Sequence, residues 1–189
     1  MKQQNRRIVL ASKSPRRAEL LKRIFSDFEV IPSHSEESAE EPDPRALVRA
    51  LAREKAEEVF SRNRDALVVG ADTVVWLAGR RYGKPRDRAD AAEMLASLSG
   101  KEHSVLTGVC VCAPEGCWDF ACESFVRFRR IDEGFLSAYL DTGIPFDKAG
   151  GYGIQCEPSP VESWRGDYDN IVGLPVRALR ELLEKQNLR

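Results

Sequence analysis

The stretch Ile8-Val9-Leu10-Ala11-Ser12-Lys13-Ser14-Pro15-Arg16-Arg17-Ala18-Glu19-Leu20-Leu21 changes its hydrophobic period partway along. The run from Arg6 to Leu10 is short and apolar and reads as a strand. Ser14 is of the N-cap type, and Pro15 suits the first helical position, where its missing N–H would have had no partner. Ala18, Leu21, Ile24 and Phe25 then recur at helical spacing, which predicts a helix to about Phe25. A strand that passes straight into a helix is how an α/β fold begins.

The same alternation continues outward. Residues 28–31 read as a second strand, residues 33–44 as an acidic loop, and residues 44–62 as a long helix. That helix carries Leu47, Val48, Leu51, Val59 and Phe60 on one stripe. Residues 66–77 are β-rich, with a hairpin turn expected at 79–83. A helix over 87–98 is closed by Gly100, and strands over 103–113 and 118–130 are joined at 114–116. A helix over 132–140, an aperiodic stretch over 141–160, a strand near 161–164 and a helix over 175–186 complete the chain. Adjacent strands between 66 and 130 imply a mixed sheet, so the class is α/β, in a single domain over 1–189.

Composition narrows the function. The 189 residues are 42% hydrophobic and 31% charged, with a formal net charge of −1, as in a soluble globular domain. No overall basic field exists to hold a nucleic-acid backbone, so any anion site must be a local cluster. The five cysteines, Cys110, Cys112, Cys117, Cys122 and Cys156, are odd in number and contain no C-x-x-C pair. Reduced thiols packed in strands are therefore expected, rather than a disulfide framework or a zinc site. Residues 1–10 are charged rather than signal-like, and no apolar run is long enough to span a bilayer. The expected location is the cytoplasm.

Function is expected where residues contradict plain structural logic. Arg16 and Arg17 occupy the first turn of a helix, the end that disfavours cations unless an anion binds there. Serine hydroxyls, backbone N–H groups and two guanidiniums would then converge on a phosphate; the alternative is two solvated arginines. Lys55 falls on the apolar stripe of its helix, and pattern alone favours an ammonium that snorkels to solvent. Asp72 interrupts the run Leu67-Val68-Val69 and Val74-Val75, so a buried carboxylate with a functional role is expected over a solvated bulge. The segment Asp147-Lys148-Ala149-Gly150-Gly151-Tyr152-Gly153-Ile154-Gln155 allows close backbone approach, yet its glycines alone suit any surface loop. Glu36 and Glu37 lie in the acidic loop, either solvated or offering a carboxylate to Mg²⁺. His34 and His103 are isolated and take no catalytic role.

The motifs together resemble the Maf-like nucleoside triphosphate pyrophosphatases. The residues that carry the resemblance are Leu10 to Arg17, Ala52-Arg53-Glu54-Lys55-Ala56, Gly70-Ala71-Asp72-Thr73-Val74-Val75 and Gly83-Lys84-Pro85. Further on come Met94-Leu95, Leu98-Ser99-Gly100, Thr107-Gly108-Val109, the glycine-rich segment ending at Gln155, Gly166-Asp167-Tyr168 and Gly173-Leu174-Pro175. They follow in the family's order over nearly the whole chain.

The resemblance implies an elongated mixed central sheet flanked by helices, with two lobes, a cleft between them and often a homodimer. It implies house-cleaning hydrolysis of a nucleoside triphosphate, dTTP or UTP, to the monophosphate and pyrophosphate with Mg²⁺ or Mn²⁺. Asp72 matches the family's proton acceptor, and Glu37, Lys55 and Lys84 its other active-site charges. Ser12 and Arg17 match the phosphate-binding loop, while Arg16, Thr73 and Gln155 match positions tied to substrate choice. Glu37 and Asp72 are the candidate metal ligands; base and ligand remain open for Asp72, and Glu36 is the alternative to Glu37. Neither nucleic acid nor membrane is an expected partner. A nucleotide-binding regulator of cell division with little catalysis is the competing function.

Overall fold

The computed structural model describes residues 6–35 and 38–188. The first strand, β1 (Ile8–Leu10), leads into α1 (Pro15–Leu21), where the Ser14 hydroxyl accepts from the Arg17 N–H at 3.5 Å and Pro15 opens the helix. The helix stops at Leu21, short of Phe25, because the next N–H groups bond three residues back: Arg23 to Leu20 and Ile24 to Leu21. Then follow β2 (Glu29–Val30) and α2 (Pro44–Ser61), whose N-cap Asp43 accepts from Ala46 N–H at 2.9 Å. Next come β3 (Leu67–Leu77), β4 (Arg80–Tyr82), α3 (Arg88–Leu98) behind its cap Asp87, β5 (Glu102–Ala113) and β6 (Gly116–Phe128). Asp132 caps α4 (Glu133–Asp141).

Two tight 3₁₀ turns, Ile144–Asp147 and Ala149–Gly151, order the stretch in which the sequence shows no period. The chain closes with β7 (Val161–Arg165), the short α5 (Tyr168–Val172) and α6 (Val176–Lys185). A helix of α5's length is too short to leave a periodic signature, and sequence reasoning passes over it. The turn expected at 79–83 is displaced. Ala78 and Gly79, both at positive φ, make the two-residue turn, and Arg80–Tyr82 is already strand. Paired positive φ values give the twist that a two-residue hairpin requires.

Seven strands among the described residues form one sheet, in the order β2-β1-β3-β5-β6-β7 with β4 on β3. β1 runs parallel to both β2 and β3, whereas β4 pairs antiparallel with β3 and β7 with β6, so the sheet is mixed as expected. The chain divides into two compact units. One comprises Met1–Asp72, Thr107–Cys122 and Gly173–Arg189; the other comprises Thr73–Leu106 and Glu123–Val172.

In the first unit, α2 lies against the sheet at backbone distance. A Cβ added to Gly70 would come 2.6 Å from the Ala52 carbonyl oxygen, and one on Gly108 would come 2.0 Å from that of Val48. Asp119 of β6 grips the outer side of the same helix. One of its oxygens accepts from Arg49, the other from Arg53, and its side chain is almost wholly buried. Burial alone would raise the Asp119 pKa; the two guanidiniums outweigh it and hold the carboxyl below its usual range. Cys110 and Cys112 pack with Ala52 and Ala56. Here the expectation of reduced thiols fails for one pair, since Cys112 and Cys117 form a disulfide across the β5–β6 turn. Cross-strand neighbours in a hairpin come close enough for this without any C-x-x-C spacing. Burial pushes the Cys110 thiol up to about 12, so it stays protonated.

The second unit has its own core, with Val75, Leu95, Leu98, Val126, Phe128, Tyr139 and Tyr152. His103 sits inside it. Its Nε2 and the Tyr152 hydroxyl are 2.8 Å apart, and its ring stands edge-on to Phe128 at 4.9 Å. Burial lowers the His103 pKa to about 4, against a weaker opposing pull from Glu102. No described helix is long and apolar enough to cross a membrane.

This packing has measurable consequences for stability. Gly108→Ala must push α2 off the sheet and is expected to cost about 3 kcal/mol or more in urea unfolding. An unchanged midpoint would contradict the close approach. His103 is neutral in the folded chain and takes up a proton on unfolding between its ordinary pKa of 6.5 and about 4. Stability is therefore expected to fall as pH drops through that window, by up to roughly 3 kcal/mol. Comparing urea curves at pH 7.5, 6, 5 and 4 for wild type and His103→Gln tests this; equal slopes in the two proteins would refute it.

Candidate active site

β1 and β3 run parallel with Leu10 opposite Val69, and the Ala11 N–H donates to the Val69 carbonyl at 2.8 Å. Ser12 lies just past the carboxyl end of β1, and Asp72 lies just past the same pairing in the middle of β3. Open α/β sheets gather their ligands where parallel strands such as β1 end.

Asp72 is buried within β3, between Ala71 and the apolar Val74-Val75. The valines on both sides keep the strand in the core, so the carboxylate must find its partner inside. That partner is Lys55, whose Nζ donates to Asp72 Oδ1. The expectation from helical pattern, an ammonium snorkelling to solvent, is corrected here: the Lys55 side chain is only 16% exposed. Gly70 accounts for it. Lacking a Cβ, Gly70 lets Ala52 and Ala56 touch β3, and this brings Lys55, on the same turn, to the strand. The other carboxylate oxygen, Asp72 Oδ2, is shut off from solvent and has no hydrogen-bond partner among the described residues. A buried carboxylate oxygen without a donor is costly and needs a reason.

The phosphate-loop candidates form a second cluster in the same unit. The Ser12 hydroxyl is buried and accepts from the Ser14 N–H at 3.2 Å and from Arg17 Nη1 at 3.3 Å. Arg17 Nε donates to the Gly173 carbonyl at 2.9 Å. Arg16 and Arg17 are both half-buried, so neither is the fully solvated arginine of the alternative reading. The Gly173 partner escapes sequence reasoning, because 156 positions separate it from Arg17. The hint the sequence offers is the motif Gly173-Leu174-Pro175, which names no partner.

In the second unit Thr73 follows Asp72 along β3 and is half-buried. Lys84 is exposed in the turn between β4 and α3, and Gln155 is exposed after the glycine-rich segment. The two segments meet through the Gly150 N–H, which donates to the Gly83 carbonyl at 2.9 Å. That glycine-rich segment is no solvated surface loop. Gly150, Gly151 and Gly153 are buried, and a Cβ on Gly150 would lie 2.9 Å from a Val75 methyl. Lys148 donates to the Ile144 carbonyl at 2.9 Å and to Asp147, so this pair closes a 3₁₀ turn.

Glu36 and Glu37 lie outside the described residues. On either side of them the chain is tied to α2, with the His34 N–H on Glu58 at 3.2 Å and the Ser38 hydroxyl on Glu54 at 2.8 Å. Among the described residues no three His, Cys, Asp or Glu side chains gather as metal ligands. Asp72 nevertheless suits a hard divalent cation, which needs few protein carboxylates and completes its shell with water and substrate phosphate.

The sequence pattern of the Maf-like protein family matches residues 7–186. A dTTP/UTP pyrophosphatase of Thermosipho africanus is 47% identical, over 94% of this chain and 92% of its own. Similar enzymes of the same name from Thermococcus kodakarensis and Aquifex aeolicus are 45% and 42% identical, covering 94% and 96% of this chain and 95% and 96% of theirs. Among solved structures, the Ham1 protein of Staphylococcus aureus superposes with a TM-score of 0.58 at 15% identity, over 96% of this chain and all of that one, and so shares the fold.

Removing either half of the buried ion pair should be unequal in cost. Lys55→Met strands the Asp72 carboxylate in the core and is expected to cost about 3–5 kcal/mol. In Asp72→Asn the amide oxygen still accepts, and the partly exposed lysine can relax. The double variant should be more stable than Lys55→Met alone, as read by urea unfolding. Strict additivity would show that the two groups do not sense each other.

Proposed function

The chain belongs to the Maf-like protein family, and from that premise we propose that it hydrolyses dTTP or UTP to the nucleoside monophosphate and pyrophosphate. One observation supports this more than any other: a buried carboxylate with Oδ1 taken by Lys55 and Oδ2 without a hydrogen-bond donor among the described residues. In the proposed step a water oxygen bonds to the α-phosphorus while the α–β anhydride bond breaks. Asp72 Oδ2 takes the water's proton, and pyrophosphate departs. Water is a poor nucleophile until such a group removes its proton.

Lys55 holds the carboxylate in one orientation and compensates its charge. Arg16 and Arg17 bind phosphate oxygens from the loop that Ser12 shares with them, and Lys84 offsets the charge that grows on the departing pyrophosphate. Thr73 and Gln155 select the base, together with Arg16. Glu37 would hold a divalent cation, Mg²⁺ or Mn²⁺, and Asp72 would join it only where Oδ2 binds the cation instead of taking the water's proton; the chemistry supplied there would be charge neutralisation on the phosphates.

The reading extends to the whole protein. The family match runs unbroken across both units, which supports one working domain over 1–189. A homodimer in the cytoplasm that clears unwanted nucleotides is part of the same proposal, with no nucleic acid or membrane as partner.

The test is pyrophosphate release from a panel of canonical and modified triphosphates, with Mg²⁺ or Mn²⁺, in ¹⁸O-labelled water. Turnover is expected to be fastest with dTTP and UTP, with the label in the monophosphate. Asp72→Asn, checked for folding, should slow it by about 10²–10⁴-fold. Label in the pyrophosphate would refute attack at the α-phosphorus. Nucleotide binding without turnover in the wild type would favour the division regulator instead.

A further inference from the structure

Arg17 is fixed by two acceptors that belong to the protein. Its Nε donates to the Gly173 carbonyl at 2.9 Å and its Nη1 to the Ser12 hydroxyl at 3.3 Å. Both acceptors are themselves held by their surroundings. The Ser12 hydroxyl is buried and also takes the Ser14 N–H. Gly173 stands at φ 127°, a region that residues with a Cβ rarely enter, directly after α5. Leu174, next in the chain, is fully buried, and Pro175 caps α6, which Leu179 and Leu183 root in the core. The direction of the Gly173 carbonyl is thus set by a backbone conformation open to glycine and by a buried neighbour on its other side.

A guanidinium is a planar fork with five N–H donors, and two bonds to fixed acceptors define its plane. A free arginine would lose rotamer freedom on gripping a phosphate, and one already held loses less. We infer that Gly173, through its main-chain carbonyl, is a positioning residue for Arg17, and that Ser12 acts on the nucleotide chiefly by orienting the same guanidinium. The inference rests on the proposed reading of Arg17 as a phosphate-binding cation. It also explains the make-up of the Gly173-Leu174-Pro175 segment, in which the glycine turns the carbonyl, the leucine anchors it and the proline starts the following helix.

Lysine at position 17 keeps the charge but has no fork to hold, so Arg17→Lys removes the device and spares the cation. The experiment is a pair of double-variant cycles on dTTP hydrolysis, Gly173→Ala with Arg17→Lys and Ser12→Ala with Arg17→Lys, with thermal unfolding of each protein. Each single change is expected to lower kcat/KM about tenfold or more. Neither Gly173→Ala nor Ser12→Ala should lower it more than twofold further once lysine stands at 17. A merely structural role would give losses that multiply in both backgrounds, and that result overturns the inference. So would Arg17→Lys at wild-type activity.

If Gly173→Ala does not fold, an amide-to-ester change between Gly173 and Leu174, introduced by semisynthesis of the C-terminal segment, takes its place. It weakens the Gly173 carbonyl as an acceptor without altering a side chain and should give the same non-multiplying loss. Normal turnover by the ester protein overturns the inference while leaving the proposed hydrolysis standing. A wild type that cleaves no triphosphate overturns that hydrolysis first.

Discussion

The distance between α2 and the sheet governs the rest of the first unit. Two glycines, Gly70 and Gly108, let the helix backbone approach nearer than any side chain would allow. Only because of that approach can a lysine on the apolar stripe reach a carboxylate in the middle of β3. An ammonium and a carboxylate withdrawn from water each lose several kcal/mol of hydration, and their mutual attraction recovers this only when the geometry is good. The glycines supply the geometry, and the apolar neighbours of Asp72 remove the alternatives. Packing and chemistry are therefore one constraint here.

The same helix carries a second ionic cluster, and the contrast is informative. Asp119 has both oxygens engaged, one by Arg49 and one by Arg53. It is saturated, and its role ends with holding β6 to α2. Asp72 has one oxygen engaged and one without a donor among the described residues. The two carboxylates share a helix, a unit and a near-complete burial. What separates the two ion pairs is the hydrogen-bond count on a single atom, and on the proposed reading that atom is where Asp72 acts.

Much of this was legible in the sequence. Ser14 and Pro15 marked the first helix start, the valines around Asp72 foretold its burial, and the order of motifs pointed to the fold. These signals are local or periodic, so one chain displays them. What remained hidden depends on contacts through space. Lys55 and Asp72 are 17 positions apart on different elements, and helical periodicity cannot reveal a partner on a strand. The Arg17–Gly173 bond and the Cys112–Cys117 bridge escaped for the same reason. The glycine-rich segment near Gln155 misled in the opposite direction: its composition suits a solvated loop, yet Gly150 packs on Val75.

On the proposed reading of Asp72, the half-used carboxylate also dictates what an inhibitor would look like. Lys55 already offsets the charge of Asp72, so a ligand that brings an organic ammonium would shed its own hydration there for little gain. A neutral hydroxyl or amide N–H aimed at Oδ2 would satisfy the one bare acceptor at little desolvation cost. Selectivity would then come from placing a small uncharged donor there, with the anionic part of the molecule left to the arginines proposed to bind phosphate.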